Sequence, residues 1–263
     1  MSFREAALRA VNQALDLHRD LVVLGAEEAL KRYLGRDDDP RLVSTPPGPT
    51  RASIAAGLHH GGKQVVTLAH DERVADGPLP PTPQVILATA LLPTRRWWAS
   101  GATVVRPVTT GDVPGLLSAA LEADGPVVLR LDEDAPLADL PAAGSPQELG
   151  LPRVLVQGSR ATVVGQGPVL AGLQQSLEDA DVGLVDLHTL PGSSTTVPGA
   201  LDRTVLIGRA SQTAGILDGD VGRLIPFGLP AGTDAAKAMT LLHELPGVLD
   251  PGQTDTEMPR SEH

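Results

Sequence analysis

The chain contains no cysteine, which removes disulfide frameworks, thiolate nucleophiles, zinc–thiolate sites and iron–sulfur clusters from consideration. Aromatic residues are nearly as scarce. Phe3, Tyr33, Trp97, Trp98 and Phe227 are the whole set, so any core must be built from Leu, Val, Ile and Ala. Base-stacking platforms for nucleic acid and aromatic-lined cofactor pockets are disfavoured for the same reason. Long hydrophobic runs are also missing: the longest apolar stretch, Val85 to Leu92, falls far short of the roughly 20 residues a spanning helix needs. Positive charge is in deficit, with 21 Lys and Arg against 32 Asp and Glu and a net charge of −11. Such a surface repels phosphate backbones and anionic headgroups, which argues against nucleic acid and membranes as partners. The opening MSFREAALRA carries charge where a secretory signal needs an apolar core, which points to the cytoplasm.

What is present is enough apolar material, 41% of 263 residues, for one large domain or two ordinary ones. The 28 glycines and 24 prolines are spread along the chain without a fixed period, as in a protein of many loops between short elements. Ser2 and Glu5 form a capping box ahead of Leu8, Val11 and Leu15, so a helix runs to about His18. Leu21 to Leu24, closed by Gly25, reads as a strand buried on both faces. The alternation continues with a helix over Arg51 to His59 and strands at Gln64 to Leu68, Gln84 to Leu87 and Thr103 to Arg106. A helix over Asp112 to Ala123 and a strand at Val127 to Leu131 follow.

Short apolar strands alternating with helices predict an α/β fold with a doubly wound parallel sheet over residues 1–135. The stretch 136–150 (PLADLPAAGSPQELG) reads as a linker. The rhythm restarts with a strand at Thr162 to Val164, a helix at Val169 to Leu177, strands at Gly183 to Leu187 and Thr204 to Ile207, and a helix at Ala235 to Glu244. Residues 151–248 are thus a second, smaller doubly wound α/β domain. The polar tail, 249–263, is expected to be disordered.

Few groupings look like chemistry. Gly165-Gln166-Gly167-Pro168 links strand to helix and could seat an anion, or a nicotinamide dinucleotide with Asp186 about twenty residues on. The third glycine of that fingerprint is missing, so a tight turn is the favoured reading. His59 and His60 are adjacent and point about 100° apart on a helix, which suits a helix C-terminus better than a chelated ion. His188, His243 and His263 stand alone, and no metal-ligand spacing occurs. There is no GxSxG elbow; Ser193 to Thr196 reads as a capping loop. Asp37-Asp38-Asp39 before Pro40 lacks the glycine and distal glutamate of a calcium loop and reads as a solvated turn. Trp97-Trp98 after Arg95-Arg96 is either an interface anchor or a pair with one ring in the core.

In order, five segments resemble a known family. REAALRAVNQALDLHRDLVVLG, RLVSTPPGPTRASIAAGLHHGGKQVV, VVRPVTTGDVPGLLSAALEADGPVVLRLDED, RVLVQGSRATVVGQGPVL and VGLVDLHTLPG are similar to segments of the beta subunits of thiamine-diphosphate-dependent 2-oxo acid dehydrogenases. These are relatives of transketolase. The resemblance covers about residues 1–245 and implies a pyrimidine-binding domain followed by a transketolase C-terminal-like domain. It also implies thiamine diphosphate with magnesium as cofactor, bound only jointly with an alpha-type subunit carrying a Gly-Asp-Gly motif followed by a distant Asn. This chain has no such motif; Asp218-Gly219-Asp220 inverts it. A homodimer of this chain within a heteromer is the implied assembly.

In that family a buried glutamate hydrogen-bonds the aminopyrimidine ring and starts proton relay to the thiazolium carbon. The matching loop here is Thr45 to Arg51, so the resemblance places Pro49, Thr50 and Arg51 at the pyrimidine site and puts a proline or arginine where the acid belongs. No carboxylate occurs between Pro40 and Asp71; Glu27 or Glu28 would have to substitute. The family's histidine motif is replaced by Leu92 to Trp98. Two readings follow: a beta-type subunit of a two-component thiamine-diphosphate enzyme that lacks the activating glutamate, or a non-catalytic pseudoenzyme serving as scaffold or regulatory subunit, binding no cofactor at all. In both, Ser53, Ala56, Gly57, Trp97 and Trp98 are interface candidates. No catalytic residue is assigned beyond Glu27 or Glu28, and no metal ligand.

Overall fold

A computed structural model describes residues 1–36, 38–69, 81–89, 101–131, 148–190, 203–209, 223–229 and 235–245. The chain begins with α1 (Phe3–Leu17), whose capping box forms as predicted: the Glu5 N–H donates to Ser2 Oγ at 3.1 Å and the Ser2 N–H to Glu5 Oε2 at 2.7 Å. It continues through β1 (Leu21–Gly25), α2 (Glu27–Leu34), β2 (Leu42–Ser44), α3 (Pro49–His60), β3 (Gln64–Ala69), β4 (Gln84–Ala88) and β5 (Thr103–Val105). A 3₁₀ turn at Thr110–Asp112 leads into α4 (Val113–Leu121), then β6 (Pro126–Arg130). Beyond residue 148 come β7 (Arg153–Val156), β8 (Thr162–Gly165), α5 (Val169–Asp179), β9 (Gly183–Asp186), β10 (Thr189–Leu190), β11 (Arg203–Arg209), β12 (Arg223–Leu229) and α6 (Ala235–His243).

The strands form two sheets. The first has the order β10-β5-β6-β4-β3-β1-β2, parallel except for β10, which runs antiparallel to β5. The second has the order β12-β11-β8-β9-β7, with β7 antiparallel at its edge. The predicted α/β class is therefore observed. The continuous apolar strands have the reason anticipated for them: Leu21 and Val23 face α1, α2 and α4, whereas Val22 and Leu24 face α3 through Ala55. The second core joins β8, β9 and β11 to α5 and α6 through Val163, Leu184, Val205, Leu173 and Leu242. Each fully buried Leu or Val contributes about 1.5–3 kcal/mol, so aliphatic side chains suffice where aromatics are few.

Several elements differ from the sequence expectation. Helix α3 starts at Pro49, two residues early, because Gly48 takes a left-handed φ of +87° as its N-cap and proline fits the first helical position. Helix α4 is shorter than Asp112 to Ala123, because its first turn tightens into the 3₁₀ geometry. Strands β7, β10 and β12 and helix α2 carry too little periodicity to have been read from the residues alone. The solvated turn expected at Asp37-Asp38-Asp39 does not hold at Asp39, whose side chain is 12% exposed and takes a bidentate pair from Arg41 at 2.9 and 2.6 Å; Asp37 lies outside the described residues. Trp97, Trp98, most of the 136–150 stretch and the 249–263 tail lie outside the described residues.

Candidate functional site

In an open parallel sheet, ligands gather beyond the carboxyl ends of the strands where the chain reverses its direction of winding. Here that reversal lies at β1. The chain leaves β1 through α2 to β2 on one side, then returns through α3 to β3 on the other. The carboxyl ends of β1, β2 and β3 are Gly25, Ser44 and Ala69. The sequence-predicted Glu27, Glu28 and Thr45 to Arg51 all fall at this edge, so the fold does bring them to one end of the sheet.

What occupies the switch point is Arg51. Its side chain is buried, and it donates from Nε to Thr45 Oγ1 at 2.8 Å, from Nη2 to Thr45 O at 2.8 Å and from Nη1 to Leu68 O at 3.0 Å. The Thr45 N–H in turn donates to Gly25 O at 2.9 Å. The guanidinium thus ties the loop after β2 to the end of β3, across the end of β1. Arg51 reaches inward because it is the first α3 residue on the face that also buries Ala55, one turn on. Pro49 and Thr50 are exposed on the outer side of the same turn.

The carboxylates at this edge are of a different character. Glu27 and Glu28 are exposed in the first turn of α2, where they suit the helix dipole. Glu27 accepts a hydrogen bond from Lys31 Nζ at 2.7 Å, and that contact holds its carboxyl below the usual range. Proton relay to an aminopyrimidine needs a buried acid kept close to the ring. Among the described residues the buried ionisable group at the switch point is instead a guanidinium, which is always charged and accepts no proton. The described residues at this edge therefore do not fit the activating half of a thiamine diphosphate site.

Ser53, Ala56 and Gly57 lie along the outer side of α3. Ser53 and Gly57 are exposed, Ala56 is half-buried, and a side-chain carbon added at Gly57 would meet nothing within 4 Å. His59 and His60 close α3, in the place expected for cations at a helix C-terminus. No group of three His, Asp or Glu side chains among the described residues is placed to hold a metal ion.

A second polar cluster lies between the two sheets, and the sequence reading missed it. Arg153 donates to Asp112 Oδ1 and Oδ2 at 2.9 and 3.2 Å and to Asp186 Oδ2 at 3.0 Å. His188, given no role in the sequence reading, has its Nδ1 3.6 Å from Asp186 Oδ2 and its Nε2 3.2 Å from Glu148 O. Burial would raise the Asp112 carboxyl, but the Arg153 guanidinium and the Thr109 N–H outweigh it and hold the group below the usual range. For Asp186, wholly buried, desolvation wins over His188 and Arg153, and the carboxyl is raised. The groups are 41 and 33 residues apart in sequence, and no local pattern could have joined them.

The glycine turn after β8 is the tight turn favoured by the sequence. Gly167 has φ +78°, and the Gln166 side chain donates to Leu187 O at 2.9 Å, which anchors it to β9. The Arg106 guanidinium lies so close over Gly167 that a side-chain carbon there would come within 2.9 Å of it.

No family model matches the chain, and no curated protein matches it. Solved structures do. A chain described as "Split gene transketolase, inactive beta4 tetramer" is 18% identical with a TM-score of 0.69, over 95% of this chain and 94% of that one. A transketolase from Leishmania mexicana is 14% identical with a TM-score of 0.61, over 92% of this chain and 42% of its own. A transketolase from Campylobacter jejuni is 10% identical with a TM-score of 0.68, over 93% of this chain and 44% of its own. The chain therefore spans nearly all of the split-gene chain and less than half of the two longer ones, and what it shares with all three is the transketolase-like α/β fold.

Proposed function

We propose that this chain is the beta-type half of a two-chain, transketolase-like assembly, in which it supplies shape and a docking surface but not the acid that activates thiamine diphosphate. The observation that carries this reading is the switch point of the first sheet, where Arg51 is buried and donates to Thr45 and Leu68 while Glu27 and Glu28 face water. The end-to-end match with a chain described as a split-gene transketolase supports the division of labour, because a split gene divides one enzyme between separate chains. Thiamine diphosphate and magnesium then belong to the joint assembly, held by the partner's diphosphate motif, with the small-residue side of α3 at a subunit interface. The 2-oxo acid dehydrogenase relationship is a narrower version of the same proposal. The pseudoenzyme form, with no cofactor bound, is favoured by the same arginine.

Co-expression with a chain carrying the Gly-Asp-Gly motif, ideally from the adjacent reading frame, is the test. The expected result is co-purification, with any turnover unaffected by Glu27→Ala or Glu28→Ala. Loss of turnover on either change would show that this chain does supply the acid. Micromolar binding of thiamine diphosphate and magnesium to the chain alone would overturn the half-site reading.

A further inference from the structure

One strand of the first sheet comes from the second half of the chain. Strand β10 lies antiparallel on β5, with Thr189 opposite Val105 and Leu190 opposite Val104. The other strands of that sheet, β1 to β6, all precede residue 131. The far side of β5 pairs with β6, so β10 is what keeps β5 from being an open edge with unpaired backbone groups.

The strand that closes this edge is short and poorly satisfied. Besides the pairing of its two residues, the Arg106 N–H donates to His188 O at 2.8 Å, and His188 Nε2 lies 3.2 Å from Glu148 O. Against these contacts stand four buried polar atoms without a hydrogen-bond partner: His188 Nδ1, Thr189 Oγ1, Asp186 Oδ1 and Gln166 Oε1. His188 Nδ1 stands 3.6 Å from Asp186 Oδ2, too far for a hydrogen bond. Buried polar atoms are nearly always paired, so four unpaired ones around a two-residue strand mark a contact that water would improve.

The root of the strand is held differently. The Leu187 N–H donates to Gly165 O at 2.8 Å, and Gln166 Nε2 donates to Leu187 O at 2.9 Å. Arg153, which joins Asp112 to Asp186, also acts on the near side of Leu187. The chain beyond Leu187 can therefore lift while these ties between the sheets remain.

We propose that residues 188–190 are a strap that leaves β5 by a local opening, pivoting at Leu187, while both sheets stay folded. Lifting the strap lets water reach the four unpaired atoms, which offsets the lost strand pairing, and bares the backbone edge of β5. The strap thus sets whether that edge of the first sheet is sealed or open to pairing.

The Arg106 N–H, bonded to His188 O, reports on the strap. In native-state hydrogen exchange of the full chain at low urea, it should exchange about tenfold or more faster than the amides of β3, in the middle of the same sheet. Its urea dependence should also be shallower, because a local opening exposes little surface. Thr189→Val keeps the β-branched shape and removes one unpaired hydroxyl, so it should raise Arg106 protection about fivefold. Since the chain has no cysteine, Val105→Cys with Thr189→Cys gives a single cross-link across the strap. These residues form the non-hydrogen-bonded pair next to Arg106 and His188, where opposite side chains are close. Oxidation of that pair should slow Arg106 exchange about tenfold or more, and reduction should restore it; if the pair does not fold, Thr189→Val decides alone. Wild-type Arg106 protection and urea dependence equal to those of β3, unchanged or lower protection in Thr189→Val, or no slowing on cross-linking would overturn the proposal.

Discussion

With five aromatic residues in the chain, arginine takes over much of the bracing between elements. Arg41 Nη1 donates to Leu15 O at 2.6 Å and holds the end of α1; Arg36 joins α1 to the end of α2 through Asn12 and Asp16; Arg160 reaches Ala180 O at 3.1 Å. A planar guanidinium holds five donors in a fixed fork aimed at separate carbonyls, where a lysine has three on one rotatable ammonium. Arg51 is the most consequential of these braces. Arg51→Met should cost about 3 kcal/mol in urea denaturation, because it leaves buried acceptors at Thr45 and Leu68 unpaired. Arg51→Lys should recover little of that, while Thr50→Ala, on the exposed side of the turn, should stay within about 0.5 kcal/mol of wild type. The family resemblance expects an acid at Pro49 or a neighbour, in the loop that Arg51 closes. Which way that arginine points depends on α3 docking against β1 and β3, so no local pattern could have revealed the clamp.

The connections between elements are held by close backbone approaches as well as by side chains. Gly158, in the β7–β8 turn, sits so near the backbone of Val182 and Gly183 that a side-chain carbon would collide with both and would lie 2.7 Å from Asp181 O. The same turn is tied by Ser159, which donates from its N–H and its hydroxyl to the Asp181 carboxylate. Gly158→Ala should therefore lower the melting temperature sharply, by more than the roughly 1 kcal/mol that backbone propensity alone would account for. Helix α3 makes the opposite case, since a side-chain carbon at Gly57, on its outer side, meets nothing within 4 Å among the described residues. Ala56→Leu should leave the monomer fold intact and weaken self-association; sedimentation showing an unchanged oligomer would remove α3 from the interface. Long periodic elements such as α1 and α3 were legible to within one or two residues. Strands β7 and β10 were not, because a strand of two to four residues at a sheet edge is defined by its neighbour and not by its own pattern.

For the molecule as a whole, the junction between the sheets contributes to the response to pH in both directions. Asp112, held below the ordinary range, contributes stability that is present above its unfolded value and is lost as pH falls through the folded one. Asp186, raised by burial, acts in the opposite direction and withdraws its contribution as pH rises. Burial works against the charge of Arg153, but its two carboxylate partners outweigh that and keep it ionised throughout. Thermal melts across pH should accordingly trace a bell, with Asp112→Asn softening the acid limb and Asp186→Asn the alkaline one. A curve whose alkaline limb is the same in Asp186→Asn would place that limb elsewhere in the chain. At this scale the described helices also show none long and apolar enough to cross a membrane, which agrees with the absence of long apolar runs.

The sequence by itself determined the class of fold, the alternation of elements and the composition of the cores, because these follow from the period and chemistry of neighbouring residues. It also determined that the loop from Thr45 to Arg51 carries no carboxylate, a fact of composition that no folding could change. Only the tertiary structure decided that Arg51 lies buried across the switch point and that Asp112, Arg153, Asp186 and His188 meet between two sheets. Both are contacts between residues distant in the chain, and their energies depend on burial and on partners that a linear pattern does not encode.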